Sequence, residues 1–394
     1  MPVSNINNEV AQAHETTGWK PVVHDRQDAY PPAKPTETDA PHPRIRILVV
    51  EDSPVIRDFL THILNLVPDL EVVGVAHNGE DALKLVREHR PDVITMDIHM
   101  PGMNGFETTL RIMETQATPI VIVSGSSSVT EAVTAFHALK VGALAVMPRP
   151  YGFGHPQFTS STNQLAETLR LMAGVKVVRR WPVDQIGARE PMPLPAVPAG
   201  VDVSIGADVR MVAIGASTGG PAAIATIMSA LPKNLPCPVL VVQHICDGFV
   251  QGFVEWLSQV SGLPVHLATH GALPLPGHVY VAPDGFHMGV NAARSIVLDA
   301  APPADGLRPS VAYLFRSLAV VFGKQALAIL LTGMGTDGAK ELKLIRDAGG
   351  VTVAQNQASS IVHGMPGEAI RLGAAKHVFA PEAIAELLCG LGQK

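Results

Sequence analysis

Ile214-Gly215-Ala216-Ser217-Thr218-Gly219-Gly220 follows the apolar run Met211–Ile214 and leads into Pro221-Ala222-Ala223-Ile224-Ala225-Thr226-Ile227-Met228. The stretch reads as a strand, a glycine-tight turn with one serine at its apex, and a helix. Glycines let the backbone adopt angles other residues resist and leave room around the serine. The hydroxyl then projects from the turn, and amides at the helix start face a developing negative charge. Ser217 is therefore a candidate nucleophile. Standing alone it reads more readily as a helix N-cap in a phosphate-cradling or structural turn, and the rest of the chain shifts that balance. A dinucleotide fingerprint fits poorly, because Ser217 stands where its middle glycine belongs.

Two further runs end in chemistry. Pro238-Val239-Leu240-Val241-Val242 closes on Gln243-His244, and Ala326–Leu331 closes on Thr332-Gly333-Met334-Gly335-Thr336-Asp337-Gly338. Functional groups of open α/β sheets collect beyond the carboxyl ends of strands, so one sheet edge can gather Ser217, His244 and Asp337. A serine needs a base during attack, imidazole takes and returns that proton, and a carboxylate orients the imidazole. The order Ser…His…Asp differs from the Ser…Asp…His of the common α/β-hydrolases. These residues point to a serine hydrolase of another fold.

Rivals are weaker. Cys246 lies two residues from His244 but on no glycine elbow. Asp284, in Pro283-Asp284-Gly285, competes with Asp337 as the acid, though a turn accounts for it. His287 reads as a structural or pocket-lining strand residue. His266 and His270 have the i, i+4 spacing of a helical metal pair, but they lie in a β-like stretch without the intervening glutamate.

The first half carries different chemistry. Arg44–Val50 ends in Glu51-Asp52-Ser53, Val93–Met96 leads to Asp97, Ile120–Val123 ends in Ser124-Gly125, and Ala143–Met147 ends in Pro148-Arg149-Pro150. Helix-period segments at 54–66, 79–89, 104–115 and 129–140 separate them. Alternating elements with continuous apolar strands predict an α/β fold with a parallel, doubly wound sheet. Glu51, Asp52 and Asp97 repel one another unless a cation intervenes, and their hard oxygens suit Mg²⁺. Any one of them alone would read as a surface acid.

The 394-residue length suits two or three domains. No apolar run approaches the ~18 residues of a membrane span, so membrane insertion is not expected. Residues 1–43 are polar, rich in Pro, His and acids, lack the core of a signal peptide, and are expected to be a disordered arm. Residues 44–176 form the first domain, closed by a helix around 162–173, and 177–208 form a proline-rich spacer. Residues 209–394 form the second. Its basic and acidic residues nearly balance and no helix-turn-helix is recognisable, which argues against nucleic acid. Three cysteines form no paired framework and suit a cytoplasmic location.

The motifs IGASTGGP, VVQH, RPSVAYLF, LLTGMGTDGA and AQNQASSIVHGMPGEA span residues 209–394, which resemble the catalytic domain of the chemotaxis protein-glutamate methylesterases. The resemblance implies a Rossmann-like fold, the triad Ser217, His244 and Asp337, and an oxyanion donor in the Met334 amide. It implies methanol release from glutamate γ-methyl esters of methyl-accepting chemotaxis receptors and deamidation of receptor glutamine, with no cofactor for the esterase and recruitment to receptor arrays. Three positions depart from the family: Ile245-Cys246 after the histidine, Ala312 in place of an acid, and His363 before Gly364-Met365-Pro366.

Residues 44–176 resemble a response-regulator receiver, a flavodoxin-like domain. That implies a histidine kinase as phosphodonor, Asp97 as phosphoacceptor, and Mg²⁺ on Glu51, Asp52, Asp97 and the His99 carbonyl. Ser124 matches the switch hydroxyl. Arg149 stands where the family has lysine, and Val146 where many receivers carry an aromatic. The whole reads as a phosphorylation-regulated esterase; the rival reading is a phosphorylation-dependent adaptor with an impaired esterase domain.

Overall fold

The computed structural model describes residues 44–125, 129–177 and 208–392. The expected N-terminal arm and nearly all of the proline-rich spacer lie outside the described residues. Two parallel sheets organise the rest.

The first sheet contains β1 (Ile45–Val50), β2 (Leu70–Ala76), β3 (Val93–Met96), β4 (Ile120–Ser124) and β5 (Ala145–Pro148), in the order β2-β1-β3-β4-β5. All four pairings are parallel. This is the flavodoxin-type order, whose ligand crevice opens where strand order reverses. Side-chain alternation divides the core: Ile47 and Val49 pack toward α1 (Pro54–Asn65) and α5 (Phe158–Ala173). Leu48 and Val50 pack toward α2 (Gly79–His89), α3 (Gly105–Thr115) and α4 (Val129–Val141). The last helix of this half begins at Phe158, earlier than the expected 162.

The second sheet contains β6 (Met211–Ala216), β7 (Val239–Gln243), β8 (Val265–Leu267), β9 (Val279–Val281), β12 (Ala326–Leu330), β13 (Val351–Gln355) and β14 (His377–Phe379). Its order is β14-β13-β12-β6-β7-β9-β8, parallel throughout. An antiparallel hairpin, β10 (His287–Val290) with β11 (Ile296–Asp299), lies outside this sheet. Val212, Ile214 and Ala216 of β6 face α6 (Gly220–Ala230), α7 (Val250–Ser261) and α11 (Pro381–Cys389). Met211 and Ala213 face α8 (Val311–Val321), α9 (Ala339–Asp347) and α10 (Met365–Arg371). The chain leaves β6 for β7 on one side and returns at β12 on the other, so the switch point lies at the carboxyl ends of these central strands.

The two sheets share an apolar contact. Phe136 on α4 is buried against Phe249, Phe253 and Trp256 of the second domain, with ring centroids 6.3, 5.6 and 5.5 Å away. The helices approach closely because α7 offers Gly252, where a Cβ would lie 2.4 Å from that of Ala132. No described helix is long and apolar enough to cross a membrane.

Candidate active site and phosphoacceptor site

Ser217 leaves β6 on a turn that Gly219 completes at φ +79°, a left-handed angle that favours glycine, before α6 begins. The backbone of the serine is fixed on both sides. Its N–H donates to the Thr332 carbonyl (3.1 Å), and its carbonyl accepts from the Gly220 N–H (2.8 Å) and from Gln243 Nε2 (2.8 Å). β7 ends at Gln243, so His244 and Cys246 stand in a loop rather than on one face of a continuing strand. The His244 N–H reaches back to the Ala216 carbonyl (2.9 Å), tying the histidine to the strand that carries the serine.

His244 Nε2 lies 2.9 Å from Asp337 Oδ2. The nitrogen left for proton transfer is therefore Nδ1. Asp337 also accepts from Ser310 Oγ (2.9 Å) and from the amides of Val311 (2.6 Å) and Ala312 (3.0 Å). Those groups form the N-terminus of α8, where unpaired amides and the helix dipole favour an anion. Burial pushes the Asp337 carboxyl up. The His244 hydrogen bond and charge, with the two amides, outweigh it and hold the group below the usual carboxylate range. Ala312 serves this contact through its backbone, so the missing acid at that position leaves Asp337 anchored.

Ser217, His244 and Met334 line one cavity of ≈ 530 Å³. Its opposite wall belongs to the first domain and includes Leu139, Val146 and Gln164. Asp284 is not part of this constellation: its carboxylate accepts from the Gly248 N–H at 2.9 Å. Burial pushes the Cys246 thiol up to about 12, far from a thiolate nucleophile, and its polar contact is Gln164 Nε2 on α5 (3.4 Å). His287 stacks on Tyr313 (4.9 Å), with Nε2 3.1 Å from the Pro302 carbonyl. His266 pairs with His278 at 2.9 Å and not with His270. His363 bridges to Gly333 at the edge of the Met334 loop.

The second constellation sits at the carboxyl edge of the first sheet. Glu51, Asp52 and Asp97 bring carboxylate oxygens within 4.8 Å of one another. Arg57 Nη1 pins the acidic turn by donating to the carbonyls of Glu51 and Asp52, both at 3.0 Å. Arg149 Nη2 stands in ion-pair range of Asp97 Oδ1 (3.1 Å) and Glu51 Oε2 (3.2 Å), while its hydrogen bond goes to Glu51 Oε1 (3.3 Å). Burial, then the charge of Asp97, pushes Glu51 up to about 7 against the pull of Arg149. Burial likewise raises Asp97, with Arg149 and the Ile98 amide opposing. Glu51 Oε2, Asp97 Oδ1 and Ser124 Oγ are buried with no hydrogen-bond partner among the described residues. Two of these oxygens belong to the buried acids and have Arg149 Nη2 at 3.2 and 3.1 Å; with Ser124 Oγ they make a hard-oxygen set that fits a divalent cation and a phosphoryl group. The His99 side chain is exposed.

Residues 212–388 match the family described as CheB methylesterase, and residues 47–154 match the response regulator receiver domain. A protein-glutamate methylesterase/protein-glutamine glutaminase of Nitrosospira multiformis is 54% identical over 88% of this chain and 97% of that protein. This chain belongs to the CheB methylesterase family. A second methylesterase/glutaminase, from Geobacter metallireducens, is 47% identical over 89% of this chain and 99% of its own length. The solved catalytic domain of Thermotoga maritima CheB methylesterase is 36% identical and covers 46% of this chain and 98% of that one, with a TM-score of 0.45. Within this family the first sheet is the receiver and the second the methylesterase domain.

Sequence reasoning did not reach Ser310, Gln243 or Arg57. Ser310 before an apolar helical run carries an N-cap signal, but nothing in the sequence says that the capped helix faces Asp337.

Proposed function

We propose that the chain hydrolyses glutamate γ-methyl esters on chemoreceptors, deamidates receptor glutamines at the same site, and is governed by phosphorylation of Asp97. The His244–Asp337 contact beside Ser217 carries the first part of this reading. His244 Nδ1 takes the Ser217 proton as Oγ attacks the ester carbonyl. The Met334 amide receives the oxyanion, a kind of donor worth ~2.7–4 kcal/mol in related chemistry. The proton on Nδ1 passes to methoxide, and methanol leaves. Water then attacks the glutamyl ester, giving its proton to Nδ1, and Ser217 is restored with a free carboxylate. With glutamine the same sequence expels ammonia. Asp337 keeps the imidazole oriented and stabilises its charged form.

In the receiver, Glu51, Asp52 and Asp97 would hold Mg²⁺, which supplies charge neutralisation for the incoming phosphoryl group. Asp97 accepts the phosphoryl from a kinase phosphohistidine, and Ser124 and Arg149 stand beside it to bind the new oxygens. Arg149 reaches both acids through Nη2 alone and leaves Nε buried without a hydrogen-bond partner among the described residues, a donor that a lysine would not bring. The receiver wall across the Ser217 cavity supports restraint of the unphosphorylated enzyme; phosphorylation relieves it by favouring another receiver surface.

Asp97→Asn is expected to keep basal methanol release and lose all stimulation by acetyl phosphate, with phosphoryl incorporation into the wild type abolished by EDTA. Incorporation mapping to another aspartate, or stimulation surviving in the variant, would overturn the assignment. A fluorophosphonate that labels the wild type but not Ser217→Ala separates an active esterase from an adaptor.

A further inference from the structure

The serine and the oxyanion loop follow the two central strands, β6 and β12. The strands that flank this pair, β7 and β13, each end in a buried glutamine: Gln243 and Gln355. Each reaches sideways across a strand end. Gln243 Nε2 donates to the Ser217 carbonyl and to the His244 carbonyl, both at 2.8 Å. One amide group therefore holds the peptide of the serine and the peptide of the histidine. Gln355 Oε1 accepts from the Thr332 N–H (2.8 Å), and its Nε2 donates to the Ser359 carbonyl (2.8 Å). Thr332 in turn receives the Ser217 N–H on its carbonyl and donates from Oγ1 to the Thr218 carbonyl (3.0 Å).

Gln243 is a poor choice for packing alone, whereas both polar ends of Gln355 are satisfied. Gln243 Oε1 is buried without a hydrogen-bond partner among the described residues, a costly arrangement that a leucine or methionine would avoid. The chain also keeps Gly220 beside it, where any Cβ would lie 2.1 Å from that oxygen. Two polar side chains are thus retained, and a glycine with one of them, where apolar residues would fill the space.

We propose that Gln243 and Gln355 are positioning residues that fix the serine and histidine peptides relative to each other and to the Met334 loop. The inference rests on Ser217 and His244 being nucleophile and base. Gln243 lines the Ser217 cavity, but its amide nitrogen is spent on two backbone carbonyls, and that is why its role is positioning. Their effect is to hold the attack geometry before substrate arrives, and a misplacement of 1 Å can cost ~10²-fold in rate.

The test uses the full chain with Gln243→Met and, separately, Gln355→Met. Steady-state methanol release from membranes carrying methylated receptor gives kcat and KM, and inactivation by a fluorophosphonate gives a rate independent of receptor docking. For Gln243→Met we expect kcat to fall about 30-fold with KM within about twofold, and fluorophosphonate inactivation to slow in parallel. Gln355→Met should lower both rates in the same direction by a smaller factor. A folded Gln243→Met with wild-type kcat and wild-type inactivation, even at a reduced melting temperature, overturns the proposal. Should Gln243→Met not fold, Gln243→Asn keeps a buried amide too short to reach both carbonyls, and Gln355→Met supplies an independent reading. The wild type distinguishes the two levels of failure. If its Ser217 is not labelled, the nucleophile assignment falls; if it is labelled and both methionine variants match it, only the positioning role falls.

Discussion

Ser217→Ala is expected to cut methanol release from methylated receptors by at least ~10³-fold, toward the ~10⁶-fold loss seen when a serine nucleophile is removed. The fold should survive, because the turn is held by backbone atoms. The Ser217 N–H bonds to Thr332, and its carbonyl bonds to Gly220 and Gln243, whatever the side chain. The measurement is methanol evolved per active site, with the melting temperature as control. A variant that is folded and hydrolyses at near wild-type rate would remove Ser217 from the mechanism and with it the role given to His244 Nδ1.

The second large effect is expected where the domains meet. At Gly252 the three atoms nearest a new Cβ all belong to Ala132 and Val133 of α4, the closest at 2.4 Å. A leucine there projects into the receiver while also improving the helix propensity of α7 by ~0.8–1 kcal/mol. Gly252→Leu should therefore wedge α4 from α7 while leaving each sheet intact. We expect the unphosphorylated rate to rise about tenfold and the response to acetyl phosphate to shrink toward none, a shift of ~1.4 kcal/mol in the docking equilibrium. Basal activity equal to that of the wild type, in a protein shown by scattering to have separated domains, would mean that the receiver does not restrain the esterase.

The fold was legible wherever strands are buried on both faces. Ile47–Val50 of β1, with β3, β4, β6, β7 and β12, read as near-continuous apolar runs because parallel sheets cover both sides. β2 did not, since Glu71 and Gly74 interrupt it at a sheet edge, and β8, β9 and β14 are only three residues long. Strand ends also pointed to Ser217, His244 and Asp337. The choice of Asp337 over Asp284 was made from turns that look much alike and from the family resemblance, and neither contains its physical reason. It depends on the N-terminus of α8 arriving beside one of them. The glutamine braces were hidden for a related reason: Gln243 binds a peptide carbonyl 26 residues away, and no side-chain pattern records that. Nothing in the segment holding Phe136 or in that holding Trp256 names the other as its neighbour.

The cavity with the methylesterase on one wall and the receiver on the other implies traffic in both directions. If a receptor segment must displace the receiver wall to reach Ser217, and phosphorylation relieves the same restraint as proposed, receptor and phosphoryl group favour one separated arrangement. Thermodynamic linkage then makes the influence mutual: whatever factor the phosphoryl group lends to receptor binding, bound receptor returns to the phosphorylated conformation of the receiver. Abundant methylated receptor would thus prolong the signal that leads to its own demethylation. As substrate is consumed that support fades, so the length of the signal follows the methylated receptor still bound.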